Sequence, residues 1–287
     1  MRWVICAAFA LALVPNMLLA PRAFAADLDM DDTLRGAQTV GPAMFTRWSG
    51  FYGGGHFDFS AANVDFSHAT QPLVSYSLRN TTLEEQDQPS QWSALSNGSA
   101  NKTGVGGFLG YNTQWQDLIL GLEGNYTHAP ISAVGTSTPI SRITSAGGLP
   151  YVVNLTGSGS VQINDFGSVR GRMGYVFGNF LPYGFVGLAL GRGSYTVTSD
   201  VSGQFNQASG GTVPCTEDGV NCIGFDYPNS LSKTSALLYG FVVGGGVDVA
   251  VTQNVFVRGE YEYMQFAPLA GITTAVSSVR VGAGLKF

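Results

Sequence analysis

Close to the C-terminal end the chain reads Val255-Phe256-Val257-Arg258-Gly259-Glu260-Tyr261-Glu262-Tyr263. Successive side chains of a strand point to opposite faces. Val255, Val257, Gly259, Tyr261 and Tyr263 therefore share one face, and Phe256, Arg258, Glu260 and Glu262 share the other, so every charge lies on one side. The next stretch repeats the division: Val279, Val281, Ala283, Leu285 and Phe287 form an apolar row against Arg280, Gly282, Gly284 and Lys286. Upstream, Val169, Met173, Tyr175 and Phe177 oppose Arg170 and Arg172, and Leu120, Leu122 and Tyr126 oppose Glu123.

Alternation of this kind runs through eight segments: Trp48–Ala62, Lys102–Asn112, Leu118–Thr127, Asp165–Phe177, Pro182–Thr198, Ala236–Val249, Val255–Phe266 and Val276–Phe287. Intervals 63–101, 128–164 and 199–235 hold 39, 37 and 37 residues, whereas 113–117, 178–181 and 250–254 hold 5, 4 and 5. Long connections at one end and tight turns at the other are the mark of a transmembrane β-barrel. The expectation is an all-β fold, an eight-stranded antiparallel transmembrane barrel with three long extracellular loops and short periplasmic turns. A soluble exported sandwich also alternates, but a sheet entering hydrocarbon must close to pair its edges, so the last segment is expected to pair with the first. Pro182–Thr198 lacks a polar face, and its register is left open.

Composition agrees with a lipid-facing exterior. Only 11% of the 287 residues are charged, against about 25% in soluble domains. Fourteen basic against 19 acidic residues give a formal charge of −5, with no basic stripe to attract nucleic acid. The 39 glycines follow no collagen period and form no phosphate-binding motif ahead of a helix. Their place is in curved strands.

Residues 1–25 read as a secretory signal, with Arg2, an apolar run broken by Pro15-Asn16, and Ala23-Phe24-Ala25 before Ala26. Residues 26–47 are expected to be a short periplasmic segment and 48–287 the barrel. In an exported chain, Cys215 and Cys222 are expected to form a disulfide.

With the apolar rows facing lipid, Arg170, Arg172, Arg258 and Arg280 point inward with Glu123, Glu260 and Glu262. An eight-stranded interior is just wide enough to be filled by side chains, so a mutually neutralising network is expected there; an ion pathway is the competing reading. Aromatic residues near segment ends, including Trp48, Tyr52, Tyr111, Trp115 and Tyr183, suit interfacial belts. His56, His68 and His128 are scattered and accompany no activated nucleophile. No catalytic, cofactor-binding or metal site is expected, and the chain is not expected to be an enzyme.

Four stretches carry a family resemblance: Trp48-Ser49-Gly50-Phe51-Tyr52-Gly53-Gly54, Phe166-Gly167-Ser168-Val169-Arg170-Gly171-Arg172-Met173-Gly174-Tyr175, Leu181-Pro182-Tyr183, and Val279 to Phe287. Across about residues 36–287 the chain resembles the alphaproteobacterial 25- and 31-kilodalton outer-membrane surface antigens, small OmpA-type barrels. The resemblance implies residence in the cell outer membrane of a Gram-negative organism and a structural or surface role. It also implies contact with outer-membrane lipid, and an assembly signal at Val281, Ala283, Leu285 and Phe287 read by the outer-membrane assembly machinery. Porin-like behaviour and hemin binding, associated with some members, are the alternatives, with His68 and His128 as the available hemin ligands. A surface ligand would be met by loops 63–101, 128–164 and 199–235.

Overall fold

A computed structural model describes residues 47–208, 213 and 221–287. The signal, most of the 26–47 segment and Cys215 lie outside the described residues. Among the described residues nine strands form one antiparallel sheet: β1 Gly50–Asp65, β2 Gly98–Trp115, β3 Leu118–Gly135, β4 Ile140–Ala146, β5 Leu149–Tyr175, β6 Phe180–Asn206, β7 Cys222–Ala250, β8 Val255–Phe266 and β9 Thr273–Lys286. Eight of them close a ring. β1 pairs with β9 from Tyr52↔Lys286 to Asp65↔Thr273, and β3 pairs directly with β5, leaving β4 as a ninth strand that pairs with the start of β5.

The expected eight-stranded ring is present; β4 is an added strand within the 128–164 interval, outside that ring, and the three long intervals are not plain loops. β3 continues to Gly135, and β5, β6 and β7 run for 27, 27 and 29 residues. About 9–11 residues cross a bilayer, so these strands pass well beyond it at the long end. In the 63–101 interval, α1 Gln71–Ser77 and α2 Thr82–Asp87 fold over the inner face of this extension. Val74, Leu78, Leu83 and Trp92 pack there against Ala146, Val153, Leu155 and Val201 as a separate apolar core. Ser/Gly/Asn-rich composition concealed it, because a few apolar residues at helical spacing are a weak signal in a short helix.

Three register shifts lie at one level, between His128 and Ile131 in β3, Ile163 and Asp165 in β5, and Gly193 and Tyr195 where β6 meets β7. Each inserts an extra residue, the geometry of a β-bulge. In β5 the insertion exchanges faces: Phe166, Ser168, Arg170 and Arg172 are buried below it, and Ile163, Val161, Leu155 and Val153 above it. In β7 the extra residue falls at Thr234-Ser235, where Ser235 has φ 56°.

Inside the barrel several rings lie in space that a glycine on the facing strand leaves open. A Cβ on Gly54 would sit 2.2 Å from the Ala283 carbonyl and 2.7 Å from the Phe108 ring, and one on Gly159 would sit 2.8 Å from Phe66.

Candidate functional site

The charged faces of β1, β3, β5, β7, β8 and β9 converge inside the ring. Arg170 pairs with Glu123, and its Nη1 donates to Glu260 Oε1 at 2.7 Å and to Glu262 Oε2 at 3.0 Å. Arg172 donates to Glu123 Oε2 at 3.1 Å and Asp248 Oδ2 at 2.8 Å. Arg258 forks onto both oxygens of Asp248, at 2.8 and 3.0 Å, and reaches Glu123 Oε2 at 2.8 Å. Arg280 donates to Asp58 Oδ2 at 2.9 Å and Glu262 Oε2 at 2.7 Å. All seven expected charges are therefore brought together and buried.

Sequence reading missed four partners, Asp58, Asp248, Tyr52 and Tyr183. Tyr52 donates to Glu123 Oε2 at 2.7 Å and Tyr183 to Glu260 Oε2 at 2.8 Å. Asp58 and Asp248 stand alternately with apolar residues, in Phe57-Asp58-Phe59 and Val247-Asp248-Val249, and that pattern was the available signal. Tyr52 and Tyr183, with Trp48, are buried inward, which corrects their placement in an interfacial belt; Tyr111 and Trp115 are exposed on the outer wall.

The open register of residues 182–198 is settled by the arginines. Tyr183 and Phe185 point inward because guanidinium groups lie over their rings, Arg172 at 3.8 Å from the Tyr183 centroid and Arg170 at 3.9 Å from that of Phe185. A ring face attracts a cation through its quadrupole, so aromatic residues here do the work of a polar face. Val186, Leu188 and Leu190 point outward, Leu188 with 68% of its surface exposed.

Toward the long end the charges give way to an apolar layer. Phe66, Phe166, Phe266, Met264 and Ile131 are buried across the lumen, held in one apolar core with Trp48, Phe108 and Phe256 at the opposite side of the charges. The lumen is thus crossed by apolar side chains, a charged cluster, and apolar side chains again. Four arginines face five carboxylates in that cluster, and none of these ions is presented to solvent.

The histidines do not converge. His56 is buried with Nε2 2.9 Å from Thr127 Oγ1. His128 faces outward, Nδ1 2.8 Å from Asp165 Oδ1, an oxygen that Tyr126 also engages at 2.6 Å. His68 is exposed just after β1. Among the described residues no group of three or more His, Cys, Asp or Glu is arranged to hold a metal. At the C-terminus Val281, Ala283, Leu285 and Phe287 form one outward row, and the Phe287 amide donates to the Phe51 carbonyl at 2.9 Å.

Residues 37–287 match the family described as outer membrane protein beta-barrel domain. A 22 kDa outer membrane protein of Rhizobium leguminosarum bv. viciae is 29% identical over 197 residues, covering 64% of this chain and 67% of the relative. The 25 kDa outer-membrane immunogenic protein of Brucella ovis is 24% identical over 185 residues, covering 64% of this chain and 63% of the relative. The chain thus aligns with about two thirds of each relative's length. Among solved structures, Neisserial surface protein A is 17% identical with a TM-score of 0.35, covering 83% of this chain and 98% of that one. The attachment invasion locus protein of Yersinia pestis is 14% identical with a TM-score of 0.33, covering 83% and 99%.

Proposed function

From its membership in the outer membrane protein beta-barrel domain family, and hence its place in the Gram-negative outer membrane, we propose that this chain is a non-conducting, non-enzymatic structural and surface barrel. The observation that carries the reading is the lumen, closed by the Arg170/Glu123/Glu260/Glu262 cluster and by the Phe66/Phe166/Phe266 layer beside it. Buried ions are tolerated when paired and hydrogen-bonded, and each arginine here satisfies at least two partners. A conducting path would have to part both layers. Catalysis would need a group offered to substrate, and these ions are engaged with one another.

The role is then mechanical and superficial: an apolar wall anchors the barrel in lipid, and the long end presents a folded lobe outside the cell as a contact surface for the envelope and its surroundings. The three histidines do not converge: His56 is buried against Thr127, and His128 stands beside Asp165 on the outer wall. Phe287 and its outward row serve as the assembly signal, and Cys215 is expected to pair with Cys222. Planar-bilayer recording tests the central claim. The expected outcome is a flat baseline with heat-modifiable, folded protein; reproducible unitary channels would establish the narrow porin instead. Deleting Phe287 is expected to lower the assembled fraction, and mass measurement with and without reductant is expected to show a two-hydrogen difference at the cysteines.

A further inference from the structure

The outer wall of β5, β6 and β7 changes character where the bulges lie. On β6 the outward column is Val186, Leu188 and Leu190, then Arg192, then Ser194, Thr196, Thr198, Asp200, Ser202 and Gln204. Arg192 stands in register with Asp165 and His128 across β5 and β3, a polar row that closes the lipid band. Above it the neighbouring strands supply matching groups, Ser158 and Ser230 beside Thr198, Asn154 and Asp226 beside Ser202.

Two features separate this surface from an ordinary solvated face. A sheet face exposed to water usually carries long charged side chains, which also guard it against association. This one carries short hydroxyl and amide groups that leave two open furrows of about 590 and 480 Å3, adjacent along the strands and divided only by the step from Asp200 to Ser202. Asp200 also lies beside Asp226; burial and that second carboxylate hold its carboxyl above the usual range. Its Oδ1 is buried with no hydrogen-bond donor. The surface is therefore rich in two-way hydroxyls, amides and carboxylates, with one buried acceptor, Asp200 Oδ1, left without a donor.

The height of the column selects the occupant. From Ser194 to Gln204 it spans ten residue steps, roughly 33 Å at about 3.3 Å each, and roughly 23 Å of height at a tilt of about 45°. The headgroup layer of a bilayer is only about 5–8 Å deep on each side, so a phospholipid headgroup would meet the Arg192 row and little more. A glycolipid whose acyl chains lie against Val186, Leu188 and Leu190 carries its saccharide up this same column. Ring hydroxyls supply the donor that Asp200 Oδ1 lacks: vicinal pairs donate to carboxylates and exchange bonds with Ser, Thr and Asn.

We propose that the outer face of the β5–β7 extension is a binding track for the uncharged saccharide chain of the glycolipid in the membrane leaflet around the barrel. The track rests on the outward orientation proposed above and is independent of whether the barrel conducts. The probe is the saccharide released by mild acid hydrolysis of that glycolipid, mixed with folded full-length protein in detergent and read by saturation-transfer NMR and titration calorimetry. Wild type is expected to transfer saturation to sugar-ring protons. Asp200→Ala/Asp226→Ala, shown folded by heat-modifiable mobility, is expected to bind at least tenfold more weakly. Asp226→Ala with Thr198→Val serves if that double variant does not fold, and Lys102→Ala on the opposite wall is expected to match wild type. Absence of transfer in the wild type, or equal affinity in the folded track variants, would overturn the proposal; neither result touches the conductance reading, which the bilayer recording decides separately.

Discussion

The membrane-level and upper parts of β5–β7 are continuous strands with opposite designs. Below the bulges the wall is apolar outside, at Val186, Leu188, Phe241 and Val243, and charged inside, at Arg170, Arg172 and Asp248. Above them it is polar outside and apolar inside, where Val153, Leu155 and Val201 meet α1 and α2. The contrast shows solvent, not strand propensity, choosing which face is apolar. In β5 a single inserted residue moves the chain from one rule to the other, because the side-chain period is two and one extra residue exchanges the faces. In β6, with no insertion, the same side faces inward throughout, and the change falls on the outward column, from Val186, Leu188 and Leu190 to Thr196, Thr198 and Asp200.

The largest effect should come from breaking the inner rule below the bulges. Arg170→Leu removes the guanidinium that Glu123, Glu260 and Glu262 share and leaves three arginines against five buried carboxylates, and removing one partner of a buried ionic cluster costs about 3–5 kcal/mol. The expected result is a sharply lower heat-modification midpoint, or loss of the folded band. Breaking the outer rule comes next: Leu188→Arg near mid-membrane should cost about 2–4 kcal/mol. Thr198→Arg, on the same face of the same strand above the bulge, should stay within about 0.5 kcal/mol, so paired denaturation curves read the contrast directly. A comparable loss in both would show that the solvent boundary is misplaced.

Leu78→Ala removes side-chain volume from the upper core and should cost about 2–3 kcal/mol, felt as faster proteolysis within 66–97 while the barrel midpoint holds. Smallest is Asp200→Asn. Its carboxyl is raised in the fold, so the folded state holds that proton more tightly than the unfolded chain does, and stability falls as pH rises through the folded value. The amide should therefore slow proteolysis of the β6–β7 hairpin slightly at neutral pH, an advantage that fades on acidification.

Much of the lower part was legible because each of its strands obeys the two-residue alternation without interruption. Arg258, Glu260 and Glu262 fall on one face by counting alone, and lipid assigns that face to the interior. Asp58 and Asp248 were within reach of the same counting but stood singly among apolar neighbours. Phe185 and Tyr183 were not, since an inward ring is explained only by the arginine that another strand places over it. The upper lobe was obscured for a different reason: its inner faces are apolar only opposite α1 and α2, and the alternation changes phase at Asn164 and at Thr234-Ser235.

By itself the sequence determined the strand period, the unequal connections and the one-sided charges. Those three properties are enough to require a closed barrel in lipid, because they follow from local geometry and from the cost of unpaired backbone in hydrocarbon. The tertiary structure alone decided which carboxylate meets which arginine, which rings fill the lumen, and how far β5–β7 rise beyond the bilayer. These depend on stagger between strands distant in the chain, and stagger is fixed by bulges and by cross-strand packing that no local pattern encodes.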